Sequence, residues 1–478
     1  MTAARGSLRA PRQRGRRASV LAGAAALIVV AGAGAGAAFA AVNWPAATLL
    51  GLAVVVVLGV VLSRVDVAVA VLAATFFFNA YVNHGVGILT LDKGIGLLVV
   101  GAWALDWAVN RRAILVTRQL WLIGAFLLWS AVSIAVAVND KAALVTWLRY
   151  ATFAALYFLV VQMVRGERRR ADVLVSVMVV AATVAGIIGL AAFFGHHVAR
   201  ASGPISDPND FGFVLASTVP LAVYQVRWAA SRWSRAIWCS SLAVILACTL
   251  ATFSRSALVG LSMAGVWALA TGRLRLRWFV GVLACLGAIV GVAMLTSPQV
   301  VETAFGAKAH VAIANVDVRS GYYKVEVDEF AHYPITGVGP GNFVYRFFQF
   351  EPGVHETLPF PSHVTTISGE EAYLVILAEQ GGVGLALFLA YLFLSWTDLR
   401  RRFPNNRRDD QLQSALAAGF VVACVGALFL AEQYYAPMWF LPAVAASLAG
   451  GIAGKRGGRE RGIASGPAEA SFVLPTGP

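Results

Sequence analysis

Charged residues are scarce in this chain of 478 residues: they make up 13%, against 59% hydrophobic residues, and the mean hydropathy is +0.73. Soluble globular domains carry about 25% charged residues, so the composition excludes a soluble enzyme, and its hydrophobicity excludes a disordered chain. Cysteine is scarce as well. The four cysteines lie inside apolar runs without CxxC spacing, which excludes a disulfide-stapled secreted domain and favours small core residues.

Several chemical signatures are also missing from the sequence. It has neither a GK[ST] phosphate-binding motif nor a kinase signature. Its His, Asp and Glu residues form no cluster with metal-ligand spacing, so we expect no bound metal and no cofactor. The net charge of +14 suggests nucleic acid at first, but the Lys and Arg clusters lie between apolar runs, as membrane topology requires. We therefore expect no nucleic-acid partner.

Long apolar runs dominate the chain from Ser19 to Gly454. Runs of about 20 residues can span a bilayer, and backbone groups in lipid must pair internally, so the runs predict helices. The sequence predicts an all-α, polytopic membrane helix bundle with about 14 spans, in the range of about 12–14. The predicted spans are 19–41, 46–63, 67–82, 94–109, 119–138, 145–164, 173–195, 211–226, 236–253, 257–272, 278–296, 372–395, 414–433 and 438–454.

The loops between the spans divide into a basic set and a set with little positive charge. Most of the 38 Lys and Arg residues fall in alternate loops, and the positive-inside rule then places both termini in the cytoplasm. We favour an uncleaved first span over a cleaved signal peptide. The predicted organisation is a basic cytoplasmic tail at 1–18, eleven membrane helices in 19–296, a large extracytoplasmic loop at 297–371, three helices in 372–454, and a disordered cytoplasmic tail at 455–478.

Arginines collect on the predicted outer face. Arg200, Arg255 and Arg319 are candidates for an anion site, because a guanidinium fork matches phosphate oxygens and keeps its charge. Converging outward arginines would suit a lipid-linked pyrophosphate. Each arginine has an alternative role, which is to reach lipid headgroups or to pair with a carboxylate. The segment from Ser206 to Asp210 predicts a turn that caps the next helix.

The large loop carries further candidates. Residues 319–333 predict an amphipathic helix, followed by a glycine-rich turn at 335–343 whose backbone N–H groups can bind an anion or simply form a tight turn. His363, Glu370 and Glu371 lie where the chain re-enters the membrane. A partly desolvated carboxylate there could act as a base. The alternatives are a surface histidine and acidic residues that favour the N-terminus of a helix.

Four stretches together resemble the O-antigen ligase and O-antigen polymerase superfamily. Each motif alone is weak, but the four follow one another in order on one predicted face and cover about 185 residues. They are Arg200 to Gly203 with Asp207 to Phe211, like "R..G…PN.F"; Thr252 to Leu258, like "SRSA"; Arg319 with Pro334 to Phe343, like "R…P..G.G.GNF"; and Ala372 to Leu385, like "HN.YL..LAE.G..G".

This resemblance implies an inverting, metal-independent glycosyltransferase of the cytoplasmic membrane. It would take a glycan from an undecaprenyl-pyrophosphate carrier on the outer face and transfer it to a lipid or glycan acceptor during assembly of surface polysaccharide in the cell envelope. Arg200, Arg255 and Arg319 would hold the pyrophosphate, since that group gains charge as its bond breaks. Possible supporting residues in the same motifs are Asn209, Gly339, Gly341 and Tyr373.

The sequence departs from the family at its "HN" pair, which falls on Glu370 and Glu371 when Tyr373 is aligned. Glu370 then replaces the family histidine as the candidate base, and His363 is the substitute. Polymerase and ligase remain equally compatible with the motifs. Other functions also stay open: a transporter or flippase for a lipid-linked glycan or small solute, and a non-catalytic family member.

Overall fold

The computed structural model describes residues 65–78, 85–86, 89–111, 113–195, 198, 200–277, 320–350, 369, 371–403 and 406–449, with isolated residues between 280 and 295. The regular secondary structure of the described part is helical apart from one antiparallel pairing of Gly85–Val86 with Leu89–Thr90, which confirms the all-α class. The helices are α1 Val65–Thr75, α2 Leu91–Asn110, α3 Arg118–Ser133, α4 Asp140–Val164, α5 Arg168–Gly195, α6 Pro208–Arg227, α7 Arg232–Ala251, α8 Arg255–Ala270, α9 320–332, α10 Phe343–Phe350, α11 Ala372–Leu399, α12 Arg407–Gly426 and α13 Pro437–Ala449.

Five segments of the described chain are helical, long and apolar enough to cross a membrane. Large apolar side chains remain exposed on these helices, among them Trp121, Leu128 and Phe393. A protein in water would bury such side chains, whereas lipid accepts them. The protein is therefore a membrane protein. The five segments are Arg118–Val136, Asp140–Val164, Arg168–Gly195, Arg232–Ala251 and Ala372–Leu399.

The predicted spans between 67 and 272, and those between 372 and 454, each contain a helix. Several of these helices are shorter than the membrane-crossing length, and the full set of about 14 spans stays a prediction. One boundary was wrong: the α-helix in the span predicted at 414–433 ends at Gly426, and residues 427–436 form turns and one short 3-10 helix, Glu432–Tyr434. The predicted tails at 1–18 and 455–478, the spans 19–41 and 46–63, and most of the loop 297–371 lie outside the described residues.

The centre of the bundle is α6, which packs against α5, α7, α8 and α12. Small residues let these backbones approach closely. A Cβ on Gly419 of α12 would lie 2.7 Å from the Ser217 carbonyl of α6, and one on Gly260 of α8 would lie 3.1 Å from Val422. Close approach through small residues is the usual way in which membrane helices associate.

One end of the bundle, which we call the basic end, gathers the arginine-rich loops. Arg168 lies 3.3 Å from Asp409, Arg408 lies 2.9 Å from Asp172, and other ion pairs there join Asp398 to Arg118 and Arg401. Loops that the charge pattern assigned to one side of the membrane thus meet in space. The opposite end, where α6, α8 and α11 begin and α7 and α12 end, holds the motifs and is called the motif end.

Candidate functional site

Arg200 connects the first two motifs at the motif end. Its Nε donates to the carbonyl of Thr252 at 2.8 Å, and its Nη2 donates to Oδ1 of Asn209 at 2.5 Å. The neighbouring Ala201 N–H also donates to the carbonyl of Ala251 at 2.8 Å. The start of α6 and the end of α7 are therefore held together by the side chain and the backbone of one short segment.

Local sequence explains why both helices begin at this point. The Asp207 carboxylate accepts from the N–H groups of Asn209 and Asp210 and caps α6, as the Asx-Pro segment predicts. The Ser254 hydroxyl caps α8 by accepting from Ala257 N. A Cβ on Gly212 would lie 2.8 Å from Ser254, so the two helix starts are in close contact.

Arg255 is the first residue of α8, and its side chain is exposed. It forms no ion pair with another residue of the described chain. Arg200 is half-buried, and burial lowers the pKa of its guanidinium, while the nearby Asp207 raises it. Two of the five N–H donors of Arg200 are engaged by Thr252 and Asn209, which leaves donors for an anion. The first two motifs thus place two positive groups at the starts of two adjoining helices.

The third and fourth motifs meet at a break in α11. Gly381 has φ 67° and ψ −172°, a conformation essentially restricted to glycine, which interrupts the helix. The glycine turn 334–342 fills this break: Val338 N donates to Ala378 O at 2.9 Å, Gly339 N to Glu379 O at 2.9 Å, and Gly382 N to Pro334 O at 2.8 Å. Irregular backbone at membrane depth requires such partners within the protein.

Helices α3 and α4 hold the other side of the same turn. Trp129 Nε1 donates to the carbonyl of Gln380 at 2.9 Å, and the Ser133 hydroxyl donates to the carbonyl of Thr336. Asn139 N donates to Oδ1 of Asn342 at 2.8 Å. Gly339 and Gly341 both have positive φ and contact α3 and α4 directly. The N–H groups of Gly339 and Gly341 bind other residues of the protein. This arrangement corresponds to the tight turn rather than to the anion-binding turn.

Glu379 lies at the centre of this docked region and is 4% exposed. Its carboxylate accepts from the backbone N–H groups of Gly341 and Phe343 and lies 3.4 Å from the hydroxyl of Tyr434. The guanidinium of Arg149 lies over the ring of Tyr434, 4.9 Å from its centroid. The buried carboxylate is thus satisfied by the turn, and the turn is fixed by the carboxylate.

The segment 427–436 joins the two halves of the motif end. Ala372 N, at the start of α11, donates to the carbonyls of Ala427 and Leu430. Tyr434 contacts Glu379, and the hydroxyl of the adjacent Tyr435 donates a hydrogen bond to the carboxylate of Asp210, the residue after Asn209. One short segment therefore links the Arg200 region to the docked glycine turn.

Other predicted residues have structural partners or lie outside the described chain. Glu371 caps α11 by accepting from Leu374 N at 2.8 Å; burial raises the pKa of its carboxyl, and the N–H groups of Leu374 and Tyr373 oppose that shift. Tyr373 donates to the carbonyl of Cys424 at 3.0 Å. Arg319, His363 and Glu370 lie outside the described residues.

Sequence reasoning missed two buried glutamates, Glu326 and Glu329, on the loop helix α9. A Cβ on Gly369 would lie 2.8 Å from Oε1 of Glu326, so that carboxylate faces the segment leading into α11. The sequence gives no signal of this burial, because an amphipathic helix pattern assigns its acidic residues to water. Within the described ranges, no three His, Cys, Asp or Glu residues are grouped as a metal site would need.

A family model described as O-antigen ligase matches residues 240–389. The match includes the second, third and fourth motifs and confirms the resemblance to the O-antigen ligase and polymerase superfamily. A comparison with curated proteins finds no match. The fold and the match define a membrane protein of polysaccharide biosynthesis. Over the matched residues the chain is similar to O-antigen ligase, which indicates a ligase- or polymerase-like role in surface glycan assembly.

Proposed function

We propose that this protein is an integral-membrane, metal-independent, inverting glycosyltransferase. It transfers or polymerises a glycan carried on undecaprenyl pyrophosphate, with a glycan or a lipid as acceptor. The motif end would face the outside of the cytoplasmic membrane, with both termini in the cytoplasm, because the arginine-rich loops gather at the basic end.

The observation that carries this proposal is the contact of Arg200 with the carbonyl of Thr252, three residues before Arg255. It brings the two arginine motifs to the adjoining starts of α6 and α8. Helix starts favour anions, and guanidinium groups bind phosphate oxygens through paired N–H groups. Arg200 and Arg255 would hold the pyrophosphate, with Arg319 contributed by the large loop.

In the proposed reaction, an acceptor hydroxyl oxygen attacks the anomeric carbon opposite the pyrophosphate. The bond between that carbon and the pyrophosphate oxygen breaks, and the carrier leaves with the electron pair. Fixed positive charge stabilises this leaving group without any reorganisation. A base takes the hydroxyl proton. Glu370 is the proposed base, with His363 as the substitute, since the adjacent Glu371 is engaged in capping α11.

The test is release of carrier lipid by the purified protein in liposomes that contain an undecaprenyl-pyrophosphate-linked glycan and candidate acceptors. Replacing Arg255 by alanine is expected to lower the rate by about 10²–10³-fold, as removal of a charge-stabilising donor does in other enzymes. The matched control is Arg232→Ala. Arg232 is also the exposed first residue of a helix behind a capping serine, but it lies at the start of α7, at the basic end.

Each outcome has a distinct meaning. Loss of release in Arg255→Ala with a normal rate in Arg232→Ala supports the pyrophosphate assignment, and equal rates refute it. Glu370→Gln separates the proposed base from His363. Product size separates a polymerase from a ligase. Release that is absent from the wild type with every acceptor supplied favours a transporter, a flippase or a non-catalytic member.

A further inference from the structure

Glu329 is a buried carboxyl group that has no hydrogen-bond partner among the described residues. It is 0% exposed, and neither of its carboxyl oxygens has a partner in the described part of the chain. An ionised carboxylate in such a place loses its hydration without compensation, so the neutral acid is the favoured form.

The groups around Glu329 come from three helices. Glu326 lies on its own helix α9, and the charges of Glu379 on α11 and Arg346 on α10 also act on it. Burial is the largest cause that raises the pKa of Glu329, and the negative charges of Glu379 and Glu326 add to it. Together they raise the pKa of Glu329 to about 9, although the charge of Arg346 opposes the shift. Arg346 is also occupied elsewhere, because it donates to the hydroxyl of Tyr333 at 2.5 Å and lies over that ring.

Glu329 also lies directly before the docked turn. The carbonyl of Glu329 accepts from Tyr333 N at 2.9 Å, and Gly337 N then donates to Tyr333 O at 2.9 Å. The turn that follows enters the break of α11 and supplies the N–H groups that bind Glu379. A second negative charge at Glu329 would therefore repel the carboxylate that the turn surrounds.

We propose that Glu329 is a positioning residue which, as a neutral acid, keeps helix α9 and the glycine turn docked in the break of α11. The docking itself does not depend on the reaction. Its effect on glycan transfer rests on the proposed function, in which the docked turn holds the third motif against the fourth.

The sign of the pH dependence follows from the direction of the shift. Glu329 favours its neutral form in the docked state, so docking is strongest below its ordinary pKa of 4.5 and weakens as the pH rises towards about 9. Across that window the contribution of Glu329 to the docking equilibrium falls by up to about tenfold per pH unit. Above about pH 9 the loss is complete.

The first experiment compares hydrogen exchange of the Val338, Gly339 and Gly382 amides in the wild type, Glu329→Gln and Asp328→Asn. Asp328 is the exposed acidic neighbour on α9 and serves as the matched control. Protection of these amides is compared between Glu329→Gln and the wild type at the same pH. The ratio of variant to wild-type protection is expected to increase between pH 6 and 9, by up to about tenfold per pH unit. Asp328→Asn is expected to follow the wild type. Parallel profiles for all three proteins would overturn the proposal.

A second measurement needs no activity and no folding comparison. The infrared spectrum of the wild type at pH 7 is expected to contain a protonated carboxyl band that Glu329→Gln lacks and that disappears above about pH 9. Absence of this band overturns the proposal.

The rate of carrier release as a function of pH then tests whether docking of the turn affects glycan transfer. This rate is expected to decline at alkaline pH in the wild type but not in Glu329→Gln. The same decline in both proteins, with the infrared band present, overturns the link. No release in any variant refutes the proposed function, while the exchange and infrared results still decide the role of Glu329.

Discussion

Replacing Gly381 by alanine would test the docking of the third motif into the fourth. The backbone of Gly381 has φ 67° and ψ −172°, which costs other residues about 1–3 kcal/mol. A Cβ there would overlap the backbone carbonyl of Ile335 and lie 2.9 Å from Gly337 N. These are backbone atoms of the docked turn, so no side-chain rotation relieves the overlap, and the turn must move away.

The cost of that movement follows from the hydrogen bonds that it breaks. Three backbone hydrogen bonds cross between the turn and α11, from Val338 N, Gly339 N and Gly382 N. Each contributes about 1 kcal/mol. Together with the conformational strain, Gly381→Ala is expected to destabilise the docked state by about 4–6 kcal/mol. A loss of this size is exceptional for a single substitution.

The neighbouring glycine provides the matched control. A Cβ on Gly382 would lie 3.4 Å from the carbonyl of Pro334 and 3.8 Å from Phe330, which are ordinary contacts. Gly382→Ala is therefore expected to be neutral or slightly stabilising, since alanine favours helix more than glycine does. Thermal unfolding in detergent and hydrogen exchange of residues 334–342 would measure both variants. Wild-type protection of the turn in Gly381→Ala would refute the docking argument.

Two further substitutions test the caps and the break. Asp207→Ala removes the group that accepts from Asn209 N at 2.6 Å and should lower stability by about 1 kcal/mol; an unchanged unfolding midpoint would contradict the capping role. Trp129→Phe removes the donor to the Gln380 carbonyl and should lower stability by about 1 kcal/mol in the same assay. The control is Trp121→Phe, which should leave stability unchanged because Trp121 is 76% exposed. Equal effects of the two tryptophan changes would argue against the bond.

Composition and local capping predicted most of the helices. An apolar run must be helical in lipid whatever its neighbours are, so the helix positions needed no tertiary information. The start of α6 followed from Asp207 and Pro208, because an Asx cap and a proline in the first turn act within a few residues of sequence. The end of α12 did not follow: residues 427–431 are as apolar as a span, and the chain turns there, where the carbonyls of Ala427 and Leu430 accept from Ala372.

The candidate site was predictable only in part. The arginines stood out because charge is rare near apolar runs, and Arg200 and Arg255 do lie at adjoining helix starts. The break at Gly381 was hidden, since Glu379 to Gly382 lies inside one long apolar run. Glu329 was equally hidden, because an amphipathic pattern assigns its acidic face to water. In the structure that residue is buried, and the turn that follows its helix docks against α11.

The two consecutive tyrosines show why the two halves of the site depend on each other. The hydroxyl of Tyr434 lies 3.4 Å from the Glu379 carboxylate, and that of Tyr435 binds Asp210, which follows the Arg200 partner Asn209. Since a single peptide bond joins these residues, their separation is nearly fixed. A shift of Glu379 that keeps its contact with Tyr434 must therefore move Tyr435 or break its bond to Asp210. The carboxylate region and the arginine region are coupled through this short segment, although they are far apart in the sequence.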